Sequence, residues 1–183
     1  MRLYLVHHPA PVLAPGICHG QSDLALAEDA GGCAATLRRL LPADIPVHAS
    51  PLRQCRELAN LLHAAPTVAD RLKEIHFGAW EMRAWDDIPR AEIDAWSGAT
   101  LEQAPPGGES VATLYRRVAE FMRERRTAGD ETLVLVTHAG VMKVCCSLLL
   151  GLPDDEWQGM RFEYGTVSLI DTGQLLWHNK SDV

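Results

Sequence analysis

Two short apolar runs in this chain each end in histidine, and each reads as a strand covered on both faces. Leu3-Tyr4-Leu5-Val6 leads into His7-His8-Pro9, and Leu133-Val134-Leu135-Val136-Thr137 leads into His138. A continuous apolar run, rather than an alternating one, is the mark of a strand with helices above and below it. In open α/β sheets, ligands bind beyond the carboxyl ends of the strands. If the two strands are neighbours in one parallel sheet, His8 and His138 face each other across a single pocket. Such a pair suits covalent catalysis, with one imidazole as nucleophile and the other polarising the substrate. A lone histidine at a strand end is more often a hydrogen-bonded structural residue. A second one at an equivalent strand end, followed by Ala139-Gly140-Val141 at the start of an apolar helix, brings the two readings to about even weight.

The rest of the chain alternates helix and strand, which predicts an α/β fold. After Gly31-Gly32, a helix places Cys33, Leu37, Leu40 and Leu41 on one face and stops at Pro42. Pro46 to Ala49 reads as a short strand, and Cys55, Leu58, Ala59 and Leu62 repeat at helical spacing after it. Val111, Leu114, Tyr115, Val118 and Met122 mark a longer helix with Ser110 as its cap. Thr166–Ile170 and Gln174–His178, separated by Asp171-Thr172-Gly173, read as a hairpin. At 183 residues the length predicts one domain over 1–183.

A formal charge of −7 argues against a nucleic-acid surface. Any anion site must therefore be locally positive, with Arg53, Arg56, His7 and a helix amino terminus as candidates. The five cysteines have neither metal-ligand nor disulfide-framework spacing, which predicts reduced thiols in a cytoplasmic protein. The amino terminus lacks the apolar stretch of a signal peptide, and Val144 to Leu152 is too short to cross a bilayer. No membrane partner is expected. Nothing in the pattern speaks to oligomeric state.

Six segments, in order, carry a family resemblance. They are Leu3 to His8, Gly16 to Leu24, Ala49-Ser50-Pro51-Leu52, Leu72 to Glu81, Pro106-Gly107-Gly108-Glu109-Ser110, and Val136 to Gly140. Together they resemble the histidine phosphatase superfamily, and within it the α-ribazole phosphatase branch. The resemblance implies a phosphoglycerate-mutase-like fold: a three-layer sandwich with a mostly parallel sheet flanked by helices. It implies His8 as nucleophile, Glu74 as proton donor and His138 as the second histidine. It further implies substrate contacts from His7, Gln54, Arg53, Gly20, Gln21 and Ala139, and an insertion at about 77–106 that forms a flap over the pocket. Trp80, Trp85 and Trp96 lie in that stretch, where ordinary packing is the competing explanation.

The mechanism implied needs a neutral His8, a protonated Glu74 and, if protonated, His138 to steady the phosphoryl oxygens; no metal or cofactor is required. Two positions depart from the family pattern, which has arginine where His7 and Gln54 stand. Neither side chain offers the forked, permanent charge that clamps a phosphoryl group. Pro9, in place of a small residue, also removes a backbone N–H. If Gln54 faces the pocket, helical geometry turns Arg53 and Arg56 away from it. The expectation is a slow phosphomonoester hydrolase acting on a small phosphorylated substrate. It would be favoured at mildly acidic pH, where His7 takes up a proton. The alternative is an impaired homologue that binds an anionic ligand. A metal centre of His7, His8, Glu74 and His138 is disfavoured, since adjacent strand residues point to opposite faces.

Overall fold

The computed structural model describes residues 1–98 and 100–182. Its strands are β1 (Arg2–His7), β2 (Val47–Ala49), β3 (Thr67–Val68), β4 (Thr132–Thr137), β5 (Val167–Asp171) and β6 (Gln174–Lys180). Its helices are α1 (Ala30–Leu40), α2 (Arg53–Leu62), α3 (Arg90–Trp96), α4 (Val111–Thr127), α5 (Ala139–Leu150) and α6 (Asp154–Gly159). The six strands form one mixed sheet in the order β3-β2-β4-β1-β5-β6. The first four run parallel, while β5 and β6 are antiparallel.

The apolar runs are buried on both faces because side chains alternate across the sheet. Leu3, Leu5, Leu133, Leu135 and Ile170 pack with α4, α5 and Trp157 of α6. Tyr4, Val6, Val134, Val136, Val167 and Leu169 pack with α1 and α2 on the other face. Each such buried side chain contributes roughly 1.5–3 kcal/mol relative to exposure. Three layers result, with the sheet in the middle.

The two histidine-bearing strands are direct neighbours. In the β1–β4 ladder, Leu5 lies opposite Leu135 and His7 opposite Thr137. Equal register means that the chain leaves both strands at the same level, so His8 and His138 emerge side by side. His138 is also the N-cap residue of α5.

Several local expectations hold, and others shift. Ser110 caps α4, its hydroxyl accepting from the Thr113 amide at 3.1 Å. Gly31 and Gly32 lie inside the first turn of α1 rather than before it, because the buried Ala30 already belongs to the packed face. The hairpin turn is tighter than expected. Asp171 pairs with Gln174, leaving Thr172 and Gly173 at φ 49° and 77°. Two successive positive φ values match the right-handed strand twist across a two-residue loop. Cys145 and Cys146 are fully buried in α5 and behave as small apolar groups. All five cysteines are free.

Between 77 and 106 the chain makes short turns and α3. Trp80, 1% exposed, packs with Cys18 and Ile88, and its indole donates to Glu92 at 2.9 Å. That tryptophan is packing. The two ends of the stretch are pinned together: Ala79 N donates to Pro106 O, and Glu109 N to His76 O. Gly78 has φ +56°, and a Cβ there would run into the Pro106 carbonyl, so glycine is required.

Candidate active site

His7, His8, His19, Glu74, His138 and Ala139 line one cavity of about 210 Å³, with Tyr164, Phe77, Trp85 and Ile17 completing its wall. The rings of His8 and His138 are 5.0 Å apart, centre to centre. His8 Nδ1 lies 2.7 Å from the Pro9 carbonyl oxygen. Nδ1–H therefore donates there, which leaves Nε2 as an unprotonated lone pair. His138 Nε2 lies 2.8 Å from Ser50 Oγ and 3.4 Å from Cys55 Sγ. Glu74 accepts from two backbone amides, Ile75 N at 2.9 Å and Gly140 N at 3.0 Å.

His7 and His8 do not point to opposite faces. Strand pairing ends at His7, so His8 leaves the pleat, and the two rings sit 4.8 Å apart. The Gly165 amide donates to both of their carbonyls, which fixes that bend. His7 stacks on Tyr164 at 4.6 Å and places Nδ1 3.2 Å from Phe162 O.

Burial sets the electrostatics. His7 is lowered to about 4, first by desolvation. His8 and His138 are lowered well below the ordinary range, first by burial and next by a neighbouring imidazole. The expectation that His7 charges near pH 6.5 is therefore corrected: it stays neutral through mildly acidic pH. The same holds for a standing charge on His138. Glu74 moves the opposite way, raised mainly because burial disfavours its carboxylate and despite the two amides it accepts.

These shifts carry a stability consequence. Each depressed histidine binds a proton more readily in the unfolded chain, so the stability it contributes is lost as pH falls below about 6.5. For His7 the loss continues to about pH 4 and is on the order of 3 kcal/mol. Glu74 opposes this, one proton against three. Thermal melts from pH 7 to about pH 4.5 should show a steep fall in Tm, and His7→Gln should soften it. A flat Tm would contradict a buried neutral cluster.

The other site residues expected from sequence divide into two groups. His7 and Ala139 line the cavity; Gln54, Arg53, Gly20 and Gln21 are not among its lining residues. Arg53 is exposed and pairs with Glu57 at 2.5 Å one turn along α2. Gln54 is wholly buried; its Oε1 accepts weakly from Leu24 N at 3.4 Å, and its Nε2 has no partner among the described residues. Gln21 spends its side-chain amide on Glu74 O and Glu109 Oε2, while its backbone N–H goes to Glu81. Gly20 packs so closely on Ile75 O that no side chain fits. The last two are scaffold.

That scaffold also includes residues that the sequence did not single out. Arg117 in α4 donates to Arg71 O, Lys73 O and Glu74 O and grips both oxygens of Glu109. It thereby fixes the backbone that carries Glu74. His19, Tyr164 and Ser50 were missed too. His19 and Ser50 lay inside recognisable segments, whereas Tyr164 sits on an irregular turn with no pattern to reveal it.

Comparison with known proteins agrees with this geometry. A model of the histidine phosphatase superfamily (branch 1) matches residues 3–180. An adenosylcobalamin/α-ribazole phosphatase of Salmonella typhimurium is 32% identical over 183 residues, covering 93% of this chain and 90% of the relative. A glucosyl-3-phosphoglycerate phosphatase of Mycolicibacterium vanbaalenii is 30% identical, covering 89% of this chain and 78% of its own. The solved structure of a putative α-ribazole-5'-P phosphatase from Escherichia coli superposes with a TM-score of 0.87 at 24% identity, covering 100% of this chain and 98% of that one. The chain belongs to the histidine phosphatase superfamily, branch 1, and is a phosphatase of that type.

Proposed function

We propose that this phosphatase hydrolyses a small phosphomonoester of the α-ribazole phosphate class, with His8 as nucleophile, Glu74 as proton donor and His138 as the group that steadies the transferring phosphoryl. The observation that carries the proposal is His8 itself, its Nδ1–H held by the Pro9 carbonyl in a cavity shared with Glu74 and His138. The relative at 32% identity supports the substrate class. No specific observation favours a ligand binder without turnover.

In the first step the Nε2 lone pair of His8 attacks phosphorus and the ester P–O bond breaks. The protonated Glu74 carboxyl gives its proton to the departing oxygen. Phosphorylation leaves His8 cationic, and the Pro9 carbonyl on Nδ1–H stabilises that charge. In the second step the Glu74 carboxylate takes a proton from water, the water oxygen attacks phosphorus, and the P–N bond returns its electrons to Nε2. His138 gains a proton only as the phosphoryl anion arrives. The amino-terminal end of α5, at Ala139, adds partial positive charge. The 77–106 stretch serves as a flap, a reading supported by Phe77 and Trp85 in the wall. The site of action is the cytoplasm, in keeping with five free thiols.

The test is an acid-labile, base-stable phosphoryl adduct, trapped by base quench during turnover of α-ribazole phosphate and mapped to His8. Turnover without any adduct would refute the covalent route. The rate should fall as pH rises from about 6 to 8, because Glu74 must hold its proton and its affinity for protons is raised. His7→Gln should keep the shape of that profile, since neutral His7 does not supply it. A rate climbing across this range would exclude Glu74 as the acid.

A further inference from the structure

Ser50 follows the last residue of β2 and is fully buried. Its amide donates to Val136 O at 3.0 Å, which ties it to β4, the strand that delivers His138. Among the described residues its hydroxyl has two hydrogen-bond neighbours. Leu52 N donates to Oγ at 3.3 Å, and His138 Nε2 lies 2.8 Å away. A serine hydroxyl carries one proton and two lone pairs. The Leu52 amide takes one lone pair, so the proton is left with His138 Nε2 as its acceptor. Turned elsewhere, that proton would be buried with at best the Cys55 sulfur, a weak acceptor.

Cys55 agrees with this direction. Its Sγ is 3.4 Å from the same Nε2, and burial keeps the thiol in its protonated form. Two protic groups thus converge on one ring nitrogen, which makes it the accepting one and puts the ring proton on Nδ1. That proton is not spent on the helix. His138 is the N-cap of α5, but its side chain makes no capping hydrogen bond, and its ring lines the 210 Å³ cavity.

We infer that Ser50 is a positioning residue that holds His138 in the Nδ1–H tautomer, so that the neutral imidazole offers the phosphoryl group a preset N–H donor. The inference rests on the phosphatase reading, which supplies the phosphoryl group. A neutral donor matters here because the cavity lining holds neither lysine nor arginine. The other tautomer would turn a lone pair toward the phosphoryl oxygens and give up that donor. Ser50 also serves the second state of the ring. When His138 gains its proton during the reaction, the proton sits on Nε2, and the Ser50 hydroxyl rotates so that its remaining lone pair accepts it.

The first readout needs neither a variant nor a substrate. Long-range proton–nitrogen correlation spectra of the isotope-labelled full chain tell a protonated ring nitrogen from one with a lone pair, and His138→Gln assigns the signals. At neutral pH, Nε2 of His138 should be the lone-pair nitrogen and Nδ1 the protonated one. Ser50→Ala should move the population toward Nε2–H and lower kcat by about 10²-fold, with KM changed less than about threefold. Ser50→Thr, which keeps the hydroxyl, should recover the tautomer and most of the rate. Cys55→Ala should leave the tautomer in place, because a thiol is the weaker donor. A protonated Nε2 in the wild-type chain would overturn the inference, whatever the variants do. So would a Ser50→Ala protein that keeps both tautomer and rate, or a tautomer that follows Cys55 instead. Turnover with the wrong tautomer would reject Ser50 alone and leave the phosphatase reading standing. The expected tautomer without turnover of any phosphomonoester would reject the phosphatase reading, and the role of Ser50 with it.

Discussion

His8→Ala should lower phosphomonoester hydrolysis by on the order of 10⁵-fold or more, the scale seen when a covalent nucleophile is removed. The structure gives the reason for so large a loss. Of the imidazoles in the pocket, His8 has Nδ1–H committed to a backbone carbonyl and Nε2 left bare. His138 has its Nε2 engaged by Ser50 and Cys55, and His7 is stacked under Tyr164 with Nδ1 against Phe162 O. His19, the fourth imidazole of the lining, has Nδ1 3.3 Å from Ile17 O and Nε2 3.4 Å from the Tyr164 hydroxyl. None of the three is arranged to take over. The variant should also fail to form the phosphohistidine adduct while retaining its fold, because alanine removes a ring whose contacts lie mainly in the cavity wall. The fall in its Tm between pH 7 and pH 5 should be shallower than in wild type, since one depressed histidine is gone. Residual turnover within about tenfold of wild type would move the nucleophile elsewhere.

The sheet and its two histidines were legible in the sequence because one physical rule governs them. A strand sandwiched by helices must be apolar throughout, so both strands stood out, and the histidines marked their ends. The parallel neighbourhood of β1 and β4 followed from the family resemblance and is what brings the rings to 5.0 Å. The substrate contacts were less legible. Gly20 and Gln21 lie in a matching segment, yet sequence cannot tell an amide that faces a ligand from one spent on Glu74 O and Glu109. Arg53 looked useful by charge alone, but α2 turns it to solvent and Glu57. The His7 charge was misjudged because its burial, and hence its depressed proton affinity, depends on Tyr164 from far along the chain. Long-range contacts of that kind leave no periodic trace.

His7→Arg together with Gln54→Arg should raise the phosphatase rate by about 10² to 10³-fold, and by more than the product of the single effects. The pocket lining contains neither lysine nor arginine, and burial keeps its three depressed imidazoles neutral. A phosphoryl dianion therefore meets no permanent cation in the lining. An arginine at 7 could keep the stack on Tyr164 while extending a permanent charge. An arginine at 54 replaces an amide whose nitrogen is buried and unpartnered among the described residues. Two buried charges without a counterion should cost stability, so the double variant should melt lower than wild type in phosphate-free buffer. Added phosphate should restore much of that loss by binding the folded state. Activity and phosphate-dependent stabilisation should therefore rise together, and Pro9→Gly should add to both if the missing N–H limits the clamp. His8→Ala in the same background must remain inactive. If the folded double variant gains neither rate nor phosphate protection, Gln54 lies out of reach of the phosphoryl group, and the missing clamp is not what limits the rate.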